Sequence, residues 1–361
     1  MLYPLLVWRS APHNQRIKPT PGGKACDFPA RRGLFAAPLG PLYPPAPMIV
    51  YLDQNKWIEL ARIVNGLESS RRSKQILAEI KAALDSGCIF PLSALHIIEF
   101  SRIKNADRRR RLGKVMWSLS KGATTAPLKS ILEFEIEAAL KAIGYPISPT
   151  PLQYIGHGIA HAFGEHESMR GFWDRFSDTV DEAMLCGEPA IQMEPLSYSS
   201  LKHRKNFAEH LRKLNEEKRT LEKDKLDDWL YAISMADINE PLSEAFARHK
   251  ISITDIEGWG LTRLKAFMDA IPTRKLDIHL HRQVLKNDHY KPKESDLEDW
   301  AGLGAAACYA DAVVCEKHFA SLLARDGFTH HARIETKMSK TLYMRSCASF
   351  CFFVSFFSSP L

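Results

Sequence analysis

The sequence predicts an α/β protein: a short parallel sheet sandwiched by helices, with a large all-helical insertion. Three observations carry this. The runs Met48–Leu52 and Ala312–Cys315 are short, continuously apolar and followed by helical patterns, as strands buried on both faces of a parallel sheet are. A third apolar run, Cys88–Leu92, stands between two further helical patterns. Residues 116–290 carry mainly helical periodicity and interrupt the strand–helix alternation. The expected organisation is therefore one α/β domain in two halves, 48–115 and 291–340, separated by a helical insertion over 116–290.

The two ends read differently. Residues 1–47 have Pro throughout and no sustained period, and are expected to be a disordered extension, with Met48 as the natural start. They lack the unbroken apolar core and small-residue cleavage site of a secretory signal. Residues 341–361 are apolar, with no charge after Arg345, yet too short and too Ser-broken for a membrane span of about 20 apolar residues. No function is assigned to that tail, and no membrane partner is expected. The 361 residues are 45% hydrophobic and 25% charged, as in a soluble globular protein. Of the net charge of +7, residues 1–47 hold six basic side chains against Asp27 alone, so the remainder is only about +2 and points weakly to nucleic acid. The seven cysteines form no CxxC pair. Buried thiols in a reducing compartment, hence the cytoplasm, are expected.

Taken in order, Met48–Leu52 is the first strand and Asp53 follows it. An acid at the C-terminal end of a parallel strand lies at the crevice where α/β sheets bind ligands. Capping the helix that begins near Lys56 is the other role open to Asp53. Ser69 or Ser70 starts the next helix, with Ile76, Leu77, Ile80, Ala83 and Leu84 on one face and Gly87 closing it. Cys88–Leu92 is the second strand, with Pro91 near its end because Pro cannot donate to a ladder. Ser93 caps a helix carrying His96 and Glu99, which are three apart and share a face. Glu99 sits between Ile98 and Phe100, where an unpaired carboxylate is costly. Either it points outward to Arg102 or inward to a metal. The following helix carries Arg108, Arg109, Arg110, Arg111 and Lys114, which either grip phosphates or form a solvated face.

In the insertion, Leu128–Ala142 is amphipathic and ends at Gly144 and Pro146. His157 and His161 have a spacing that suits zinc, but Gly158 stands where the zincin signature needs Glu, so structural histidines are expected. Ser200–Trp229 reads as one highly charged helix with a sparse apolar stripe (Leu201, Phe207, Leu211, Leu214, Leu221) and an excess of basic residues, either an RNA-facing arm or, as expected, an exposed helix of the insertion. The second half opens on Glu294, Asp296, Glu298 and Asp299 and continues as a helix from about Trp300 to Cys308. Asp311, the strand Ala312–Cys315, Glu316, a helix over His318–Arg325 and a last strand over Phe328–Thr336 complete it. Carboxylates repeated at a sheet edge are expensive unless something positive sits between them, and a divalent metal is the obvious candidate.

The phrases YLDQNKW, SALHIIEF, SDLEDW with its Ala-rich helix, and YADAVVCEKHF, in that order, resemble a PIN-domain nuclease. The resemblance covers about 48–115 and 291–336 and rests on the order and spacing of short motifs. It implies a metal-dependent endoribonuclease that cuts RNA, or another single-stranded nucleic acid, to leave a 5′-phosphate. One or two Mg²⁺ or Mn²⁺ ions would be held by Asp53, Glu99, Asp299 and either Asp311 or Glu316, with Asp296 in reserve for Asp299. The catalytic set is taken as Asp53, Glu99, Asp299 and Asp311. The family usually has Asp after a Thr or Ser that ends the last strand; Cys315-Glu316 stands here, so Asp311 and Glu316 both stay open. His96, Arg108, Arg109 and Lys317 are the expected substrate contacts. The alternative is a domain without activity that binds RNA or another protein, such as a toxin or defence component silenced by a partner. A homodimer is compatible with either.

Overall fold

The computed structural model describes residues 47–164, Asp181, Leu185 and 194–338. The expectations for 1–46 and 339–361 lie outside the described residues. In chain order the first elements are β1 (Val50–Leu52), α1 (Gln54–Val64), α2 (Arg71–Asp85), α3 (Ala94–Ser101), α4 (Ala106–Ser120), β2 (Ala123–Thr125), α5 (Leu128–Ala142), β3 (Ile155–His157) and α6 (Gly158–Phe163). Then come α7 (Glu194–Glu217), α8 (Leu226–Asp237), α9 (Asn239–His249), α10 (Ile253–Glu257), α11 (Gly260–Asp269) and α12 (Pro272–Leu285). A short α13 (Asp296–Glu298), a π-helical turn (Asp299–Leu303) and α14 (Gly304–Tyr309) run on to β4 (Ala312–Val314), α15 (Lys317–Ala324) and β5 (Arg333–Glu335).

The sheet is parallel, in the order β1-β4-β5, with Val50 opposite Ala312 and Ala312 opposite Arg333. Alternation along each strand sends side chains to two cores. Val50, Leu52, Ala312 and Val314 join Trp57, Leu60, Ile80 and Phe90 on one face. Tyr51, Val313 and Cys315 join Ala306, Leu280 and Phe319 on the other. Each fully buried aliphatic side chain contributes about 1.5–3 kcal/mol. That two-sided cover is why these strands read as unbroken apolar runs.

Several helix boundaries follow from local chemistry. Ser70 Oγ accepts the Ser73 amide at 3.1 Å and starts α2, and Gly87 supplies the left-handed turn (φ 85°) beyond its end. The run Cys88–Leu92 is not a continuous strand. It makes two isolated parallel bridges, Ile89 with Ile49 beside β1 and Leu92 with Thr124 of β2, and Pro91 between them has no N–H to give. The last strand is also shorter than expected. Arg325–Gly327 coils as a 3₁₀ turn, and the Phe328 ring stacks on His279 at 4.3 Å instead of entering a ladder.

The insertion departs from the all-helical expectation. β2 and β3 pair in antiparallel fashion, and Leu92 hydrogen-bonds to the β2 backbone, so this hairpin is tied to the first half. The expected boundary at 115 lies inside α4. The charged segment is not one exposed helix. It breaks after Glu217 into two 3₁₀ turns, where Lys218 Nζ is drawn to Leu285 O (2.5 Å) and Asp288 Oδ1 (2.6 Å). Its stripe is core: Phe207, Leu211 and Leu214 are buried in the cluster that covers the Tyr51 face of the sheet. The insertion helices thus supply one of the two layers on the sheet. No helix among the described residues is long and apolar enough to cross a membrane.

Candidate active site

Asp53 stands where the first strand ends. Its N–H donates to Val314 O at 2.9 Å, one step beyond the β1–β4 ladder, so it lies at the C-terminal edge beside the end of β4. It occupies the N-cap position of α1, but its side chain, 7% exposed, accepts no capping hydrogen bond. Burial, then the charge of Glu316, push its carboxyl up to about 6, with the Gln54 and Asn55 amides and Lys56 opposing. Glu316 caps α15 directly after Cys315, and its Oε1 accepts from Asn55 Nδ2 at 2.6 Å.

Glu99 reaches the same edge because His96 anchors its helix. The Ser93 N–H donates to His96 Nδ1 at 2.9 Å, so Nε2 carries the proton and donates to Leu52 O at 2.8 Å. Burial lowers the imidazole to about 4, and the neutral ring stacks on Tyr51 at 4.8 Å. With both nitrogens engaged and 2% exposure, His96 is a brace between α3 and β1, not the expected substrate contact. One turn further on, Glu99 is pushed up to about 8 by burial and by Glu298, Asp53 and Asp299, against the opposing charge of Arg102.

Asp299 comes from the opposite face of the sheet, at the start of the π-helical turn. Burial, then Asp53, Asp296, Glu316 and Glu298, raise it to about 7. π-turns recur at functional sites because the wide turn re-aims side chains. This one passes very close to the first half. A Cβ on Gly302 would stand 3.0 Å from both Leu95 Cδ1 and Tyr51 Oη, so any side chain there would force these neighbours to give way by a few tenths of an ångström.

Asp53, Glu99, Asp299 and Glu316 are therefore brought together, and none of the first three forms an ion pair with a described residue. The other expected residues are not part of the cluster. Asp311 precedes β4, and its Oδ2 accepts the Ile49 N–H at 2.6 Å at the N-terminal edge. Asp311 and Glu316 are about 16–17 Å apart along an extended strand, and because β1 and β4 run parallel it is the Glu316 end that lies beside Asp53. Of the two residues left open, only Glu316 is at the right end. Asp296 is 3% exposed and its Oδ2 is held by Tyr290 Oη (2.5 Å) and the Lys293 amide (2.8 Å), which ties it behind Asp299, whose carboxyl its charge helps to raise. Arg109 donates to Ile103 O at 2.8 Å and braces the turn before α4. Arg108 lines a groove between α1 and α4. Lys317 is exposed in the first turn of α15.

Sequence reasoning left Glu298 out of the site. It is 6% exposed, hydrogen-bonded and ion-paired to Arg102 at the end of α3, and 3.3 Å from Arg204 of α7. It ties three elements together behind the cluster. Helical spacing cannot say which of Asp296, Glu298 and Asp299 faces the sheet when the helix changes pitch between them. The donors are oxygen only, which suits a hard cation. Among the described residues, however, no three acidic, His or Cys side chains already converge on a common point in the manner of a formed metal site. His157 and His161 form no such pair either. His157 precedes α6, and His161 lies within hydrogen-bond distance of Thr124 Oγ1 (2.9 Å) and Gln153 O (3.2 Å). No protein-family model, curated protein or solved structure matches the chain.

Proposed function

We propose that this chain is a PIN-like, metal-dependent endoribonuclease in which Asp53, Glu99, Asp299 and Glu316 hold Mg²⁺ or Mn²⁺. The observation that carries the reading is the gathering of three partly or fully buried acids, distant in sequence, at the C-terminal edge of a parallel sheet. Burial raises all three, Glu316 adds to Asp53, Asp53 adds to Asp299, and both Asp53 and Asp299 add to Glu99; none is ion-paired with a described residue. Uncompensated negative charge of this kind is characteristic of sites that bind a cation. An ion bound there would supply Lewis acidity towards a scissile phosphodiester and lower the pKa of water. Asn55 orients Glu316, His96 fixes the helix that carries Glu99, and the Glu298 pairs hold the Asp299 turn against α3. The helix-covered parallel sheet is in keeping with the PIN-like fold.

The test is direct. The purified protein should cut single-stranded or structured RNA with Mn²⁺ or Mg²⁺, and Asp53→Asn or Glu99→Gln should abolish cutting while leaving circular dichroism unchanged. Cutting that persists in excess chelator sinks the proposal. One observation favours a second reading, an inactive RNA-binding module: the acids do not yet converge on one point. Under that reading RNA is bound, no condition produces cleavage, and Mn²⁺ leaves thermal stability unchanged.

A further inference from the structure

The Arg108–Arg111 tract does not act as a unit. Arg110 turns to Asp107 at 3.7 Å and Arg109 to Ile103 O. Arg108 and Arg111, three apart and on one helix face, line a groove between α1 and α4 together with Arg62, Asn65 and Asn105. Its cavity volume is about 440 Å³. Neither Arg108 nor Arg111 is ion-paired with a described residue, and the one acid paired with a lining arginine is Glu68, 3.5 Å from Arg62 with both side chains largely exposed. Three guanidinium groups, and Asn105 Nδ2 beside an Oδ1 that already accepts the Arg108 amide, offer donors that complement phosphate oxygens, while Asn65 Nδ2 donates to Ala61 O.

Both walls of the groove are joined through the chain to elements that carry the acidic cluster. Arg102, which holds Glu298, is three residues before Asn105, a span of at most about 11 Å. Along α1, Asp53 at the start and Arg62 near the end are about 14 Å apart at the helical rise.

We propose that this groove binds the phosphate backbone of a single-stranded RNA a few nucleotides from the acidic cluster. This rests on the nuclease reading for its direction but not for its test. Binding is measured by fluorescence anisotropy of a labelled single-stranded oligouridylate in EDTA, where no cutting occurs, across a salt series. The full chain is compared with Arg108→Gln/Arg111→Gln, with Arg62→Gln and with Asp53→Asn. The double variant should bind at least about tenfold more weakly, with a log K against log salt slope shallower by about 1.4, as for two lost phosphate contacts. Arg62→Gln should show about half that change in slope, and Asp53→Asn should bind as well as the unaltered chain or better. Equal affinity and slope for the chain and its arginine variants, no binding by the unaltered chain, or preference for polyglutamate over the oligonucleotide would each overturn the groove. If Mn²⁺-dependent cutting persists in that case, the nuclease reading stands alone. Weakened binding by the arginine variants with no cutting under any metal would leave the groove standing and remove the nuclease reading.

Discussion

Glu99 offers the sharpest test of the site's electrostatics. Its carboxyl is raised from 4.5 to about 8, first by burial and then by the surrounding acids. A carboxyl raised by folding binds its proton more tightly in the native than in the unfolded state. Its contribution is therefore intact below the unfolded pKa and is lost as pH climbs through the native one. For these two values the penalty is about 1 kcal/mol at pH 5 and about 4 kcal/mol at pH 8. Glu99→Gln keeps the shape and removes the charge, so in EDTA the variant should be more stable than the unaltered chain at pH 8 by about 3–4 kcal/mol. For a protein of this size that is about 4–7 °C in Tm. At pH 5 the two melts should nearly coincide. Thermal unfolding followed by circular dichroism at both pH values decides the matter. A variant equally stable or less stable at pH 8, or a gap that does not change with pH, would show that Glu99 is not held against its neighbours as described.

Other outcomes follow from the same geometry. Mn²⁺ at a hundredfold excess over its Kd should stabilise the chain by about 2.7 kcal/mol at pH 8 and much less at pH 5, where protons compete for Asp53, Glu99 and Asp299; a metal-independent Tm would count against the centre. Glu298→Ala should cost about 3 kcal/mol in urea unfolding, because it removes the carboxylate that pairs with both Arg102 and Arg204, each less than one-fifth exposed; a loss below 0.5 kcal/mol, the size of a surface change, would show the pairs to be incidental. Gly302→Ala should cost about 1–3 kcal/mol through overpacking and should lower cleavage further by pushing the Asp299 turn off Tyr51. Full activity and stability in that variant would refute the close approach.

Much of the secondary structure was legible because its signals are local. The caps at Ser70 and Ser93, the turn at Gly87, the amphipathic Leu128–Ala142 and the apolar strands Val50–Leu52 and Ala312–Val314 each encode their element within a few residues. The places where the pattern misled are those where a distant partner intervened. The stripe on Phe207, Leu211 and Leu214 looks too sparse for a core, yet it closes over the Tyr51 face of a sheet built from both ends of the chain. The tract Arg108–Arg111 looks uniform until packing on α1 divides it between groove and brace.

From composition and period alone, this chain was bound to make short buried strands between helices and to carry acids just after them, since both features depend only on neighbours in sequence. Which acids meet was not so determined. Parallel pairing of β1 with β4 sets the Glu316 end of β4, and not the Asp311 end, beside Asp53. The π-turn separates the roles of Asp296, Glu298 and Asp299. The contact of His96 with Leu52 O delivers Glu99 to Asp53. Each is a long-range contact with no local signature, so folding alone could choose among carboxylates that look alike in the sequence.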